Sequence, residues 1–329
     1  MMKQKRDEKS SDQFSVVLDG YGVNPGDLSW DFLDAFGKKK IYDSSTDVNA
    51  AERLSDATIV LTNRIKISGE ILDRCGKIRF VSALGTGYDM IDVSACRERG
   101  IEVCNVPGYS TVSVAQHAFS LLISLISDIP GWSSAVRAGK WTGTFDYTPL
   151  RFIELYGKTV GIYGCGTIGR MMGDICASFG ANVFGYRRNP PAEKENGRIR
   201  YVDRETLISE SDFISFHCPL SDETRGLVDR DFIDKMKTGA FIINTSRGAV
   251  INETDLYNAL SAGKLAGAAL DVMSKEPPDA SNPLLTCDRC IITPHCAWTS
   301  RDARLRLLDI IDNNIKSFIE TGKGINRVL

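Results

Sequence analysis

The sequence lacks an excess of charge of either sign and an apolar segment at its N-terminus. Lysine and arginine number 40 against 42 aspartates and glutamates, a balance that argues against nucleic acid or a membrane surface as partner. The first 13 residues, MMKQKRDEKSSDQ, are polar, whereas a signal peptide or a membrane helix needs an apolar segment. We therefore predict a disordered tail over residues 1–13 and a small molecule as the ligand.

A disulfide framework and a metal site are also not expected. The nine cysteines are odd in number and lie mostly in apolar stretches, which is typical of reduced thiols in a cytoplasmic protein. Cys287 and Cys290 form a CxxC sequence near His295 and Cys296, but no second pair follows at the spacing of a zinc finger. We predict a cytoplasmic protein without bound metal.

Short apolar segments alternate with amphipathic ones along the chain, whose 329 residues suffice for two domains. The alternation predicts βαβ units on parallel sheets. The apolar segment 111–129 is too long for a strand. We predict that it forms a mostly buried helix that links the two domains. The predicted strands are SVVLDG, TIVLTN, RFVSAL and IEVCNV in a first series, and KTVGIYG, ANVFGY, DFISFHC, AFIINTS, LAGAALDV and CIITPH in a second.

Three glycines stand in G-x-G-x-x-G spacing where the second series begins. Gly164, Gly166 and Gly169 follow an apolar segment and precede a helix-like one. In a dinucleotide-binding fold the first permits a tight turn, the second lets the backbone approach a pyrophosphate, and the third lets helix pack on strand. The motif occurs by chance in ordinary turns, but its position between strand and helix favours dinucleotide binding.

The next predicted strand, ANVFGY, runs into Arg187 and Arg188. An NAD site usually places Asp or Glu at this strand end, against the ribose hydroxyls. A guanidinium instead pairs well with the extra phosphate of NADP, which a carboxylate would repel. We predict that NADP is preferred, with NAD as the alternative; the competing interpretation is two solvated surface arginines.

Only three histidines are present, and a ketone reductase needs a group that protonates the new alkoxide near neutral pH. His117 lies in the long helix, where we predict that its side chain is packed or interfacial. His217 closes a strand, where a structural role is expected. His295 ends the last strand, at the carboxyl edge where ligands of open α/β sheets bind.

Eight stretches, in family order, resemble the D-2-hydroxyacid dehydrogenase family, most closely its glycerate dehydrogenase (hydroxypyruvate reductase) branch. The resemblance implies an α/β fold with two Rossmann-like domains, catalysis in the cleft between them, and a homodimer. Residues 14–107 and 295–329 would form a flavodoxin-like substrate-binding domain, and residues 108–294 an inserted doubly wound dinucleotide-binding domain. The stretches are LDGYGVNPGDLSW, LGTGYDMID, NVPGYSTVSVAQHAF, GKTVGIYGCGTIGR, HCPLSDETRGLV, INTSRGAVINETDL, ALDVMSKEP and TPHCAWTSRDARLRL.

The resemblance assigns the catalytic roles to Arg247, Glu276 and His295. Arg247 matches the arginine that binds the carboxylate and keto oxygen of the substrate, where a planar fork of donors serves better than an ammonium. Glu276 matches the acid that orients the catalytic imidazole and favours its protonated form, and His295 matches that imidazole.

Further roles come from the same resemblance. Thr86 and Gly87 match the loop whose backbone N–H groups receive the substrate carboxylate, and Trp298 matches an aromatic that walls the pocket in the glycerate dehydrogenase branch. Asp271 matches the aspartate that orients the nicotinamide amide. The predicted cofactor-binding residues are Gly164, Gly166, Thr167, Ile168, Gly169, Arg187, Arg188, Cys218, Pro219, Thr224, Thr245 and Asp271.

The predicted activity is reversible reduction of a small 2-keto acid, such as hydroxypyruvate or glyoxylate, to the D-2-hydroxy acid. One alternative is 3-phosphoglycerate dehydrogenase, which resembles this chain but commonly has a basic residue for the substrate phosphate. Another is a dinucleotide-sensing corepressor, a relative that keeps the same three catalytic residues and binds peptide motifs.

Overall fold

A computed structural model describes residues 13–143, 152–192 and 195–328. The chain divides into two compact units, one containing Met1–Ser110 and Thr299–Leu329 and the other Thr111–Trp298. The boundaries predicted from the sequence fall a few residues earlier, so His295 belongs here to the second unit. The predicted tail lies outside the described residues except for Gln13, which begins the first strand.

The first unit is a parallel five-stranded sheet in the order β2-β1-β3-β4-β5. This order is the flavodoxin-like one, which confirms the predicted fold class. Its helices begin at side-chain caps: Thr46, Ser68, Asp92 and Ser300 each accept the N–H three residues on. The strands are β1 Gln13–Val17, β2 Gly37–Ile41, β3 Ile59–Thr62, β4 Phe80–Ala83 and β5 Glu102–Cys104; the α-helices are α1 Asp47–Arg53, α2 Gly69–Arg74, α3 Val93–Glu98 and, near the C-terminus, α10 Arg301–Thr321.

The second unit is an eight-stranded sheet in the order β13-β12-β11-β10-β6-β7-β9-β8. All pairs are parallel except β8 with β9. The direction of chain progression reverses between β6 and β10, the point at which doubly wound folds bind their ligands. The strands are β6 Thr159–Tyr163, β7 Asn182–Tyr186, β8 Glu195–Asn196, β9 Ile199–Tyr201, β10 Phe213–Phe216, β11 Ala240–Asn244, β12 Leu265–Leu270 and β13 Cys290–Ile292; the α-helices are α4 Thr111–Ser127, α5 Ile129–Arg137, α6 Thr167–Ser178, α7 Arg204–Glu210, α8 Arg230–Lys235 and α9 Glu253–Ser261.

Helices cover both faces of this sheet, so its strands are apolar on both sides. On β11, Ile242 belongs to one core cluster and its neighbour Ile243 to the other, because successive side chains of a strand point to opposite faces. Tyr163 and Ile162 on β6 divide in the same way. The two layers hold the carboxyl ends of the strands in one row.

The long helix predicted over residues 111–129 is shorter, and it does not link two domains. It ends at Ser127, and Asp128, with φ +40, caps a second helix by accepting the N–H of Gly131. Both helices belong to the second unit, where α4 packs against α6, β11 and β12. Among the described residues no single helix is long and apolar enough to cross a membrane; α4 and α5, bent by 52°, pass that test only as a pair.

Candidate active site

The glycine loop joins β6 to α6, and the fold itself requires two of its three glycines. Gly164 has φ +88, and a Cβ there would lie 2.5 Å from the backbone nitrogen of Cys218. A Cβ at Gly169 would lie 2.8 Å from Ile162 Cγ2. Gly166 caps α6, and the nearest atom to a Cβ there is 4.0 Å away. The backbone at Gly166 is therefore open to a ligand at the helix N-terminus.

A cavity of about 510 Å³ opens beside this loop. Arg187, predicted from the sequence, is part of its lining. Arg170 and Asp174 are not among the predicted residues, although the four-residue spacing from Gly166 places both on the same face of α6. The lining residues are Gly166, Thr167, Arg170, Met171, Asp174 and Arg187.

The next residue, Arg188, is not among the residues that line the cavity. Arg188 forms an ion pair with Glu223, and both side chains are exposed. The hydroxyl of Thr224 is used within its own turn, where it donates to the carbonyl of Pro219 at 2.7 Å and accepts the N–H of Ser221 at 2.8 Å. The structure thus gives Arg188 and Thr224 partners within the chain.

Two other predicted residues surround the strand ends. Thr245 follows β11, and its hydroxyl is buried without a hydrogen-bond partner in the described part of the chain, which is unusual for a buried polar group. Cys218 is buried against Gly164, and burial raises the pKa of its thiol to about 11. The open helix N-terminus, the glycine cradle and the orphaned hydroxyl fit a dinucleotide.

Glu276 and His295 form an acid–imidazole pair. Glu276 Oε2 lies 2.6 Å from His295 Nδ1, and Glu276 Oε1 accepts the N–H of Met273 at 3.1 Å. Both side chains are about one-third exposed. His295 has φ +53, a conformation that residues other than glycine adopt rarely and that is common at functional sites. The carboxylate of Glu276 therefore orients the ring through Nδ1.

Asp271 follows β12 and holds the loop that carries His295. Its backbone carbonyl accepts the N–H of His295 at 2.7 Å. Its side-chain oxygens accept from Thr293 Oγ1 at 2.5 Å, the N–H of Cys296 at 2.9 Å and the N–H of Ala297 at 2.9 Å. The predicted contact of Asp271 with the nicotinamide amide stays a prediction.

Asp271 is charged although it is almost fully buried. Burial pulls the pKa of its carboxyl upward, but hydrogen bonds from His117, Thr293 and the backbone N–H groups outweigh it, so the pKa is lowered. His117 Nε2 lies 3.0 Å from Thr293 Oγ1 and 3.4 Å from Asp271 Oδ1. His117 is therefore a packed residue of this network.

One atom each from His117, Asp271 and Cys296 lies within 4.8 Å of the others, close enough to hold a metal ion. The carboxylate of Asp271 already accepts hydrogen bonds from the loop, however, and we attribute the cluster to its role in anchoring that loop.

His217 does not belong to this cluster. Its Nε2 lies 2.9 Å from the hydroxyl oxygen of Ser215. Burial lowers the pKa of His217 to about 4, so this histidine is neutral.

Arg247 stands at the carboxyl end of the neighbouring strand. Asn244, the last residue of β11, donates its side-chain amide to the carbonyl of Arg247 at 2.9 Å. The next residue, Gly248, lies so close to Met273 that a Cβ there would be 1.9 Å from its carbonyl carbon. Because the N–H of Met273 binds Glu276, the segments that carry Arg247 and the acid–imidazole pair are packed together.

The remaining predicted residues are spread over both units. Thr86 and Gly87 belong to the first unit, where the Thr86 hydroxyl donates to the carbonyl of Val106 at 2.9 Å. The amide of Asn105 donates to the carbonyl of Thr86 at 2.8 Å. Trp298 is the last residue of the second unit and is partly buried.

A glycine loop at the switch point of a doubly wound sheet, with an acid–imidazole pair and an arginine at the same edge, defines a nicotinamide-dependent dehydrogenase. Residues 119–297 match the family model described as the D-isomer specific 2-hydroxyacid dehydrogenase NAD binding domain. The chain belongs to this family, as its sequence predicts, and is an oxidoreductase that acts on the CH–OH group of 2-hydroxy acids.

Similar proteins include a hydroxypyruvate reductase of Blautia hydrogenotrophica, 45% identical over 95% of this chain and 98% of that protein. A D-3-phosphoglycerate dehydrogenase of Archaeoglobus fulgidus is 37% identical over 81% of this chain, but over only 50% of its own length. Among solved structures, an acyclic imino acid reductase in complex with NADPH and D-Arg superposes with a TM-score of 0.83, at 28% identity, over 96% of this chain and 100% of the other.

Alanine substitutions in the glycine loop separate folding from cofactor binding. We expect Gly164→Ala to lower the free energy of unfolding by about 1–3 kcal/mol, because its Cβ meets backbone. Gly166→Ala should keep the melting temperature of the wild type, because its Cβ would clash with no protein atom. It should raise the Kd for NADPH about tenfold, because that Cβ would project into the space where we expect the cofactor to bind. Thermal melts and cofactor fluorescence titrations measure both; equal NADPH affinity in wild type and Gly166→Ala would contradict the assignment.

Proposed function

We propose that the protein interconverts a small 2-keto acid, of the hydroxypyruvate or glyoxylate type, and its D-2-hydroxy acid, with NADP preferred over NAD. The observation that carries the proposal is the 2.6 Å contact between Glu276 Oε2 and His295 Nδ1. An imidazole held in this way is a general acid near neutral pH. The hydroxypyruvate reductase that is 45% identical supports the substrate class.

When bound, the nicotinamide cofactor supplies the hydride that forms the new C–H bond. His295 donates a proton from Nε2 to the keto oxygen, so that the carbonyl becomes CH–OH, and accepts that proton in the reverse reaction. Glu276 accepts the hydrogen bond from Nδ1 and keeps the ring oriented. The hydride on carbon and the proton on oxygen together account for the reduction of the ketone.

Arg247 binds the substrate in this proposal. Its guanidinium offers paired donors to the carboxylate and the keto oxygen, which fixes the carbonyl for attack and polarises it. The roles predicted for Thr86 and Gly87, whose backbone N–H groups would receive a carboxylate, and for Trp298, as an apolar wall, stay predictions. These roles rest on the family resemblance.

The preference for NADP rests on the end of β7. Arg187 lines the cavity beside Gly166 and Thr167, where its positive charge favours a phosphate on the adenine ribose. The NADPH complex of a structural relative supports this choice. The other predicted cofactor contacts, at Ile168, Arg188, Cys218, Pro219 and Thr224, stay predictions, as do the homodimer and the cytoplasmic location.

One assay tests the function and its two rivals. Purified protein is given glyoxylate, hydroxypyruvate, pyruvate and 3-phosphohydroxypyruvate with NADH or NADPH, and cofactor oxidation is followed by absorbance. Highest kcat/KM with hydroxypyruvate or glyoxylate supports the proposal. A clear preference for the phosphorylated acid would make it a phosphoglycerate dehydrogenase. Cofactor binding without turnover of any acid would favour the corepressor.

His295→Gln should lower kcat by about two to four orders of magnitude, because general acid catalysis typically contributes that factor. The Kd for NADPH should stay within a few-fold of wild type. Glu276→Gln should lower kcat less, since the imidazole remains. Turnover of His295→Gln within a few-fold of wild type would contradict the role of His295 as acid.

Arg247→Lys should lower kcat/KM about ten- to hundredfold, because an ammonium cannot make the two-point contact of a guanidinium. The matched control is Arg289→Lys, an exposed position that precedes β13 at the opposite edge of the sheet. Steady-state kinetics and melting temperatures are compared for both. A variant at position 247 that alters only the melting temperature would show that Arg247 is structural.

Arg187→Asp should shift the ratio of kcat/KM for NADPH over NADH toward NADH about ten- to hundredfold, because it replaces an attractive charge with a repulsive one. Arg198→Asp makes the same charge change in an exposed turn before β9 and serves as the control. The shift should shrink as salt rises. An unchanged ratio in Arg187→Asp, or a wild type that favours NADH, would contradict the preference for NADP.

A further inference from the structure

The cavity beside the glycine loop contains two guanidinium groups. Arg170 on α6 and Arg187 after β7 both line it, next to Gly166 at the helix N-terminus. The sequence points to a different pair, Arg187 and Arg188, because these are adjacent at the strand end. In the structure, however, Arg188 forms an ion pair with the exposed Glu223. The second positive charge in the cavity is therefore that of Arg170, on α6.

Arg170 lies beside a buried hydroxyl. Its guanidinium is close enough to the hydroxyl of Tyr201, the last residue of β9, to oppose the rise in pKa that burial causes there, and Tyr201 is only 6% exposed. The thiol of the fully buried Cys165, in the glycine loop, donates to the same hydroxyl at 3.5 Å. A long flexible side chain loses rotamer freedom when it binds a ligand. A side chain beside Arg170, as Tyr201 is, lowers that cost by restricting the arginine before a ligand arrives.

The charges of the cavity favour an anion. Two arginines, Arg170 and Arg187, face one carboxylate, that of Asp174 one helical turn beyond Arg170. The N-terminus of α6 adds further positive potential. A phosphate monoester carries up to two negative charges and accepts several hydrogen bonds at once, which matches two forked donors better than a ribose hydroxyl would.

We propose that Arg170 is the second phosphate-binding residue of this subsite, that it binds the 2′-phosphate of NADP together with Arg187, and that Tyr201 is its positioning residue. The proposal rests on the preference for NADP proposed above and adds the residue that completes the phosphate subsite.

Calorimetric titration of the full chain with adenosine 2′,5′-bisphosphate and with adenosine 5′-monophosphate tests this proposal without turnover. The two probes differ only in the 2′-phosphate. Arg170→Met should raise the Kd of the bisphosphate about tenfold and change that of the monophosphate less than twofold. Arg198→Met removes the same charge at an exposed position outside the cavity and should change either Kd less than twofold.

Two further variants keep the test independent of folding. Arg170→Lys retains the charge and loses the fork, so its effect on the bisphosphate should lie between those of wild type and Arg170→Met. Tyr201→Phe removes only the hydroxyl and should weaken bisphosphate binding about two- to fivefold through a less restricted Arg170. An Arg170→Met that fails to melt cooperatively is replaced by these two variants in the comparison.

Each outcome decides the proposal. Selective weakening of bisphosphate binding in the variants at position 170 supports it. Equal losses for both probes, or a loss in Arg170→Met no larger than that in Arg198→Met, would overturn it and leave the proposed enzyme function unaffected. A wild type that binds the bisphosphate no better than the monophosphate would overturn the NADP preference and Arg170 together, whereas turnover of the keto acids is measured separately.

Discussion

The carboxylate of Asp271 is the interaction on which the catalytic edge of the second unit depends. It is buried at the end of β12 and remains charged because hydrogen bonds from the loop after β13 compensate for its burial. Removing such a partner from a buried charge is costly, so the loop has one low-energy arrangement. In that arrangement His295 takes its left-handed backbone conformation and meets Glu276.

The same edge of the sheet serves binding and chemistry with different physical means. At β6 the polar groups belong to the main chain, since Gly166 is open and the N-terminus of α6 leaves backbone N–H groups accessible to an anion. At β11 and β12 the polar groups belong to side chains. The close packing of Gly248 on Met273 keeps Arg247 next to the segment that carries Glu276. Parallel strands place these groups in one row because all their carboxyl ends meet at that edge.

Much of this arrangement could be predicted from local patterns. Alternating apolar segments give the strands, the spacing of Gly164, Gly166 and Gly169 gives the phosphate loop, and the motif stretches around Arg247, Glu276 and His295 give the family. These signals survive in the sequence because each depends on neighbours within a few residues: strand periodicity, a turn that excludes a Cβ, a cap before a helix. The family and the fold class that these signals predict are confirmed by the family model and by the order of the strands.

The sequence by itself determined the fold class, the glycine loop and the candidate acid–imidazole pair. Only the tertiary structure decided which charged side chains line the same cavity. Adjacent in sequence, Arg187 and Arg188 separate, the first lining the cavity and the second pairing with Glu223, a residue 35 positions away. Arg170, 17 positions before Arg187, lines the cavity because the helix that carries it packs against β7. Such long-range pairings depend on packing between elements, about which local periodicity carries no information.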